Sequence, residues 1–201
     1  MNLFEQTYDH NDFEKIANII LNQLTLNVKN KKFRICEIEM YLRSDAHPDT
    51  YTHSNPDQQA FGKFYFHKYA TGSFKSGTWK GIDIVLGGPD KFFGILIRSM
   101  MNLETGEFIE GPCKCVNMIL AQFGLTEVKE LFQTDIYTGT KQIGLNDTYI
   151  CLNQTEMEKT KIYMGPRIGL SDKYPEYANK NYRYATFIEK IKKNRKTFVQ
   201  I

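Results

Sequence analysis

Between residues 11 and 24, Phe13, Ile16, Ala17, Ile20, Leu21 and Leu24 recur at the spacing of one helical face. Asn11 followed three residues later by Glu14 has the form of a capping box and predicts the helix start there. The period then changes. Residues 24–28 alternate as a strand, Asn30, Lys31 and Lys32 make the turn, and residues 33–42, FRICEIEMYL, return antiparallel. On this second strand a period of two sets Cys36, Ile38, Met40 and Leu42 on the core face. Phe33, Ile35, Glu37, Glu39 and Tyr41 fall on the other. Two carboxylates and a phenol in file fit either a wet edge strand or a site, because a buried carboxylate must be paired or put to use.

Residues 43–59 are polar and aperiodic with two prolines, a length that points to function or disorder. Within them His47 reads as a solvated loop histidine. A metal site joining His47, His53 and Glu39 is the alternative, although no ligand pair here has the short regular spacing of zinc sites. Strands are predicted over 61–67, with Tyr65 and His67 opposite Phe64 and Phe66, over 78–86, with Trp79 in the core, and over 92–100. An expanded turn at 68–77 separates the first two. Arg98 interrupts the apolar run of the third and should meet a carboxylate or a phosphate. A helix opens at 110–114, with Pro112 early and Gly124 past its end, and a short one covers 127–132. Further strands are expected at 148–152 and 161–164. A closing helix over 187–196 carries KIKKNRK, which reads as a solvated helix end or as a DNA patch.

Length and composition narrow the picture only partly. The chain has 201 residues, enough for one domain with a substantial core, and 41% of them are apolar. Its 26 Lys and Arg against 23 Asp and Glu leave a net charge of +3, so any nucleic-acid contact must come from a local patch. Cys36, Cys113, Cys115 and Cys151 show no metal or disulfide spacing and read as reduced, packed thiols. The polar start carries no secretory pattern, and no run approaches about 18 apolar residues, so an intracellular protein is expected.

The chemistry-bearing residues form an ordered pattern. EIEMYL followed by Asp49-x-x-x-His53 resembles the active-site signature of the alkyladenine (3-methyladenine) DNA glycosylase family. The aromatic strand ending at His67, the LIR segment ending at Arg98, the Gly-Pro-x-Lys helix entry at Lys114 and the Arg167-Ile-Gly segment follow in the family's order. The resemblance implies a single α+β domain in which a curved, mostly antiparallel sheet is flanked by helices. It also implies a monofunctional DNA N-glycosylase that turns an alkylated or deaminated purine out of double-stranded DNA and hydrolyses its N-glycosidic bond. Glu39 would activate the water and Arg98 would position it. Tyr41, His53, His67 and Asp83 would line the base pocket, and Tyr69, Lys114 and Arg167 would contact DNA, with Tyr69 or Phe74 as the wedge. Neither cofactor nor metal is implied, no membrane is involved, and the protein would act as a monomer in the cytoplasm of a prokaryote or the nucleus of a eukaryote. The chain departs from the family where His67 replaces the last aromatic, where Asp83 replaces an Asn and where an arginine-rich segment after His53 is missing. An ionised Asp only accepts hydrogen bonds, which changes the edge of a base that it can read. The alternative is a divergent protein of the same fold that binds a nucleobase or nucleotide without cleaving it.

Overall fold

A computed structural model describes residues 8–201. Helix α1 spans Phe13–Gln23, and its stripe of Phe13, Ile16, Ala17, Ile20 and Leu21 is buried as the periodicity requires. Its entry lies earlier than expected. The carboxylate of Asp9, not Asn11, accepts the Asn11 N–H at 2.7 Å, and Asp12 accepts the Asp9 N–H at 3.1 Å. A 3-10 turn over His10–Asp12 therefore leads into the helix. Strands β1 (Leu24–Val28) and β2 (Lys31–Ser44) follow. The turn joining them sits at Lys29 and Asn30, with Lys29 at φ 50°, because Lys31 already pairs with Val28.

Chain order continues with β3 (His47–Pro48), β4 (Lys63–Phe66), β5 (Ile82–Val85), β6 (Phe92–Asn102), β7 (Phe108–Glu110), α2 (Pro112–Ala121), α3 (Val128–Leu131), β8 (Ile143–Gly144), β9 (Ile150–Gln154), β10 (Tyr163–Gly165), α4 (Pro175–Ala178), β11 (Arg183–Ala185) and β12 (Val199–Gln200). The strands lie in the order β12-β10-β11-β2-β6-β5-β4-β8, and every pairing among the described residues is antiparallel. β2 is the spine of this open, curved sheet. One edge pairs with β6 along most of its length, and the other meets β1, β11 and β3 in turn. Helices are few, and α1 and α2 share one apolar core with the strands, which makes the chain a single α+β domain.

The simple alternation predicted for β2 breaks once. Its register against β6 shifts between Ile35 and Ile38, so Phe33 and Ile35 join Ile38, Met40 and Leu42 in the core. An irregularity of this kind changes which way successive side chains point. Glu37 and Glu39 are thereby the polar load of a buried strand, not the continuation of an apolar face.

Three other expectations change. The segment 78–86 is strand only over Ile82–Val85 and begins with a 3-10 turn at Gly77–Trp79, which leaves Trp79 70% exposed instead of in the core. His47 is buried, stacked on His10 at 4.8 Å and edge-on to Phe13 and Tyr177, so it is not a solvated loop residue. The tail does not form a helix over 187–196. It makes 3-10 turns at Ile188–Lys190 and Arg195–Thr197 with Phe187 and Asn194 in the left-handed region, and β12 adds to β10. KIKKNRK offers only Ile191 to the core, so no apolar face holds a helix down. The four cysteines are free, with Cys36 and Cys115 buried.

Truncating the spine tests the dependence on β2. Ile38, fully buried between β6 and β11, should cost about 2–5 kcal/mol on substitution by Ala, read as a lower urea midpoint at unchanged m-value.

Candidate functional site

The two acids of β2 lie inside the protein and are held by a charge network. Glu37 accepts from Arg98 Nε at 3.1 Å, from Arg183 Nε at 2.6 Å and from the Ser99 hydroxyl. Glu39 accepts from Arg98 Nη1 at 3.2 Å and from the Tyr41 hydroxyl at 2.8 Å through Oε2, and from the Ile168 N–H at 2.7 Å through Oε1. Two carboxylates thus face two guanidinium groups, the condition under which burying charge is tolerable. The phenol of Tyr41 is held well above its ordinary pKa, by burial first and by the charge of Glu39 second, so it stays a donor.

Arg98 was expected to meet a carboxylate or a phosphate, and it bridges Glu37 and Glu39. Arg183 was not anticipated. It arrives from β11, opposite Glu39 in register, and its only sequence signal was membership in a basic, aromatic tail.

Glu39 lies at the buried end of a pocket of about 590 Å³. Leu96, Arg98 and Asp83 line the same end. Tyr41, Tyr51 and His53 come from the end of β2 and the loop after it, while His67 and Gln58 flank Asp83. Trp79, Lys114 and Lys193 are among the exposed lining residues, next to the entry to α2 at Gly111–Lys114. Of the residues singled out in the sequence, Glu39, Arg98, Tyr41, His53, His67, Asp83 and Lys114 therefore line one pocket.

The remaining two do not. Tyr69 sits on the 68–74 turn, 41% exposed and not part of the pocket lining, and Phe74 is stacked on Phe132 at 4.8 Å. Arg167 is no surface cation. Its guanidinium is enclosed, ion-paired with Asp49, bonded to the Met40 and Tyr177 carbonyls at 3.0 Å, and packed over the Tyr41 ring at 4.6 Å. Its charge is neutralised inside the protein, so Arg167 has none to present to DNA. Asp49, the unassigned first residue of the Asp-x-x-x-His pattern, turns out to fix Arg167 and to accept the Tyr51 N–H at 3.0 Å. The 43–59 loop is accordingly built, with Asn55 capping a 3-10 turn at Pro56–Gln59.

Asp83 carries no free carboxylate edge. Oδ1 lies 2.7 Å from His67 Nε2 and Oδ2 accepts from Gln58 Nε2 at 3.0 Å. Two glycines make this cluster possible. A Cβ on Gly94 would collide with the Asp83 carboxylate and stand 2.5 Å from Gln58 Nε2, and one on Gly81 would stand 2.6 Å from His67 Nδ1. The ring of His67 meets that of His53 at 4.5 Å, edge to face, with Tyr65 beyond. His53 is exposed at the pocket, but its ring lies against those of His67 and Tyr65, which partly desolvate it. Burial first, and His67 second, hold its pKa down to about 4, so Nε2 is free to accept from Lys75 Nζ at 3.4 Å. Gln58 had no sequence signal, and a turn brings it in, as another turn brings in Lys75.

Comparison with known proteins gives a kinship without a chemistry. No family model matches the chain. Over 205 aligned positions it is 42% identical to "Uncharacterized protein L759" of Acanthamoeba polyphaga mimivirus, with 94% of this chain and 92% of the viral one covered. The chain belongs to the family of that viral protein. The match runs nearly end to end and so spans the residues of both the sheet and the pocket. Among the described residues no group of three or more His, Cys, Asp or Glu is arranged to hold a metal ion, and no helix is long and apolar enough to cross a membrane.

Gly94→Ala should destabilise the domain by about 1–3 kcal/mol by forcing Asp83 and Gln58 apart, measured by urea unfolding. For His53 the sign follows from its lowered pKa. As the pH falls from about 6.5 to about 4 the unfolded imidazole binds a proton that the folded one refuses, so stability declines across that window. Histidine NMR titration should find the His53 ring still neutral at about pH 5, with a midpoint far below that of a free histidine.

Proposed function

We propose that this protein is a DNA-repair N-glycosylase with the alkyladenine DNA glycosylase fold, which receives a damaged purine from double-stranded DNA in the Glu39 pocket and hydrolyses its N-glycosidic bond. The observation that carries this reading is a fully buried carboxylate, pinned by three donors, at the end of a cavity lined by a phenol and two imidazoles. A volume of about 590 Å³ lies in the range of small-molecule sites, and one extruded nucleoside fits it. An alkylated purine is cationic, and the ring faces of Tyr41, His53 and His67 would each offer it about 0.5–2 kcal/mol.

In this mechanism Glu39 Oε1, enclosed and accepting a single protein hydrogen bond, has acceptor capacity left for a water admitted with the substrate. The carboxylate takes the water's proton as oxygen attacks C1′, and its negative charge stabilises the oxocarbenium character that develops there. Arg98 is the positioning residue. Its grip on both Glu39 and Glu37 fixes the carboxylate plane. Lys114 and Lys193 at the exposed end of the pocket, and Lys190, Lys192, Arg195 and Lys196 along the adjoining groove, provide positive charge where duplex phosphates would lie. These six cations outnumber Glu107, Glu110 and Glu189 in the same groove, a local positive excess on a chain of net charge +3. The non-helical tail brings five of them together. The hydrolysis as written consumes water and calls for no cofactor, and one chain contributes every residue named.

One feature favours a second reading, a nucleobase- or nucleotide-binding protein without turnover. Three donors already occupy Glu39, and Asp83 is spent on His67 and Gln58. Single-turnover excision on duplexes carrying alkylated, etheno and deaminated purines separates the two. Wild-type protein should release at least one of these bases. Glu39→Gln should lose about 10²–10⁴-fold in rate while keeping its affinity for an abasic-analogue duplex. Equal rates for the two proteins would remove Glu39 from the chemistry, and binding of a free base with no excision of any lesion would favour the second reading.

A further inference from the structure

We propose that Lys75 gives the pocket a second activity, condensation of its amine with the aldehyde of an abasic deoxyribose followed by cleavage of the strand on the 3′ side. The proposal rests on the pocket receiving an extruded deoxyribose, but it goes beyond simple hydrolysis of the base.

Four lysines line the pocket, and their surroundings differ. Lys80 is buried with its ammonium bonded to the Thr126 carbonyl at 2.7 Å and 3.6 Å from Glu127. Lys114 and Lys193 are exposed at the pocket's edge. Lys75 alone points its amine at the aromatic wall, 3.4 Å from His53 Nε2, and no carboxylate among the described residues forms an ion pair with it.

Its backbone is held on the N-terminal side. The Lys75 N–H donates to the His67 carbonyl at 2.8 Å, and the preceding Phe74 is stacked on Phe132. These contacts set the start of the side chain beside His67, within reach of His53. Asp83 is the charge that most favours the ammonium form. That carboxylate is itself occupied by His67 and Gln58, and burial outweighs it, lowering the Lys75 pKa from its ordinary value. A lysine that sheds its proton more readily is a better nucleophile toward a carbonyl.

The step balances without any oxidant or reductant. The Lys75 nitrogen bonds to C1′ of the open-chain sugar, and the carbonyl oxygen leaves as water carrying the two amine hydrogens. The imine nitrogen takes a proton from solvent, and in the iminium so formed the C2′ hydrogen is acidic and returns to solvent. The C3′–O bond then breaks, with its electron pair leaving on the 3′ phosphate. Water hydrolyses the unsaturated imine and restores the amine.

The test uses the full chain and a duplex with a preformed abasic aldehyde, so it does not depend on base excision. Wild-type protein should nick the strand 3′ to the site. With sodium cyanoborohydride present it should form a covalent protein–DNA adduct whose peptide mass maps to Lys75. Lys75→Ala should lose both products. Lys75→Arg, which keeps the positive charge, should lose them too while still binding the abasic duplex, which separates loss of the nucleophile from loss of folding or affinity. An adduct that persists in Lys75→Arg, one that maps to another lysine, or a wild-type protein that yields neither nick nor adduct would overturn the proposal. Base excision could still hold in any of those cases, and trapping at Lys75 could hold if excision failed.

Discussion

The structure turns on the pairing of two buried carboxylates with two buried guanidinium groups. Glu37 and Glu39 sit one strand residue apart on β2, both withdrawn from water, and each ion left alone there would cost several kcal/mol. Arg98 from β6 reaches both, Arg183 from β11 reaches Glu37, and the Ile168 N–H closes on Glu39. The network therefore ties the central strand to its neighbours on both edges and to the loop after β10. Removing any one charged partner would expose the others to the full cost of burial, so the four ions act as a unit.

A second buried pair determines where the pocket's outer wall stands. Arg167 and Asp49 join the loop after β3 to the loop after β10, and the same guanidinium packs over Tyr41. Arg167 immediately precedes Ile168, whose N–H holds Glu39, so the wall and the carboxylate are positioned through adjacent residues. Loops that would otherwise wander become part of a rigid frame, as a site requiring fixed geometry demands. The third cluster, Asp83 with His67 and Gln58, completes the lining opposite and exists because Gly94 and Gly81 leave room for it.

These three polar clusters have different relations to the pocket. The first supplies its acid, the second the orientation of that acid and of the phenol, and the third a wall that is already satisfied within the protein. Lys75 is the outlier, since its partner is an imidazole and not a carboxylate. Polar groups with unmatched capacity in an otherwise matched environment are where chemistry toward a ligand is to be sought.

Local pattern alone determined the elements whose burial depends on period. The helical stripe from Phe13 to Leu21, the strands around Ile38 and Ile95, the helix opened by Pro112 and the placing of Glu39, Tyr41 and Arg98 on long buried strands were legible, because side-chain polarity repeating at 3.6 or 2 reports a face directly. Tertiary structure decided everything that depends on a partner far along the chain. The register shift after Ile35 depends on β6, and the exposure of Trp79 on where β5 begins. Likewise, the enclosure of His47 needs α1 and Tyr177, and the internal use of Arg167 needs Asp49. A charged or aromatic side chain looks the same in sequence whether water or a distant ion meets it. Only the folded chain, by fixing which groups come within a hydrogen bond of one another, assigns it to surface, frame or site.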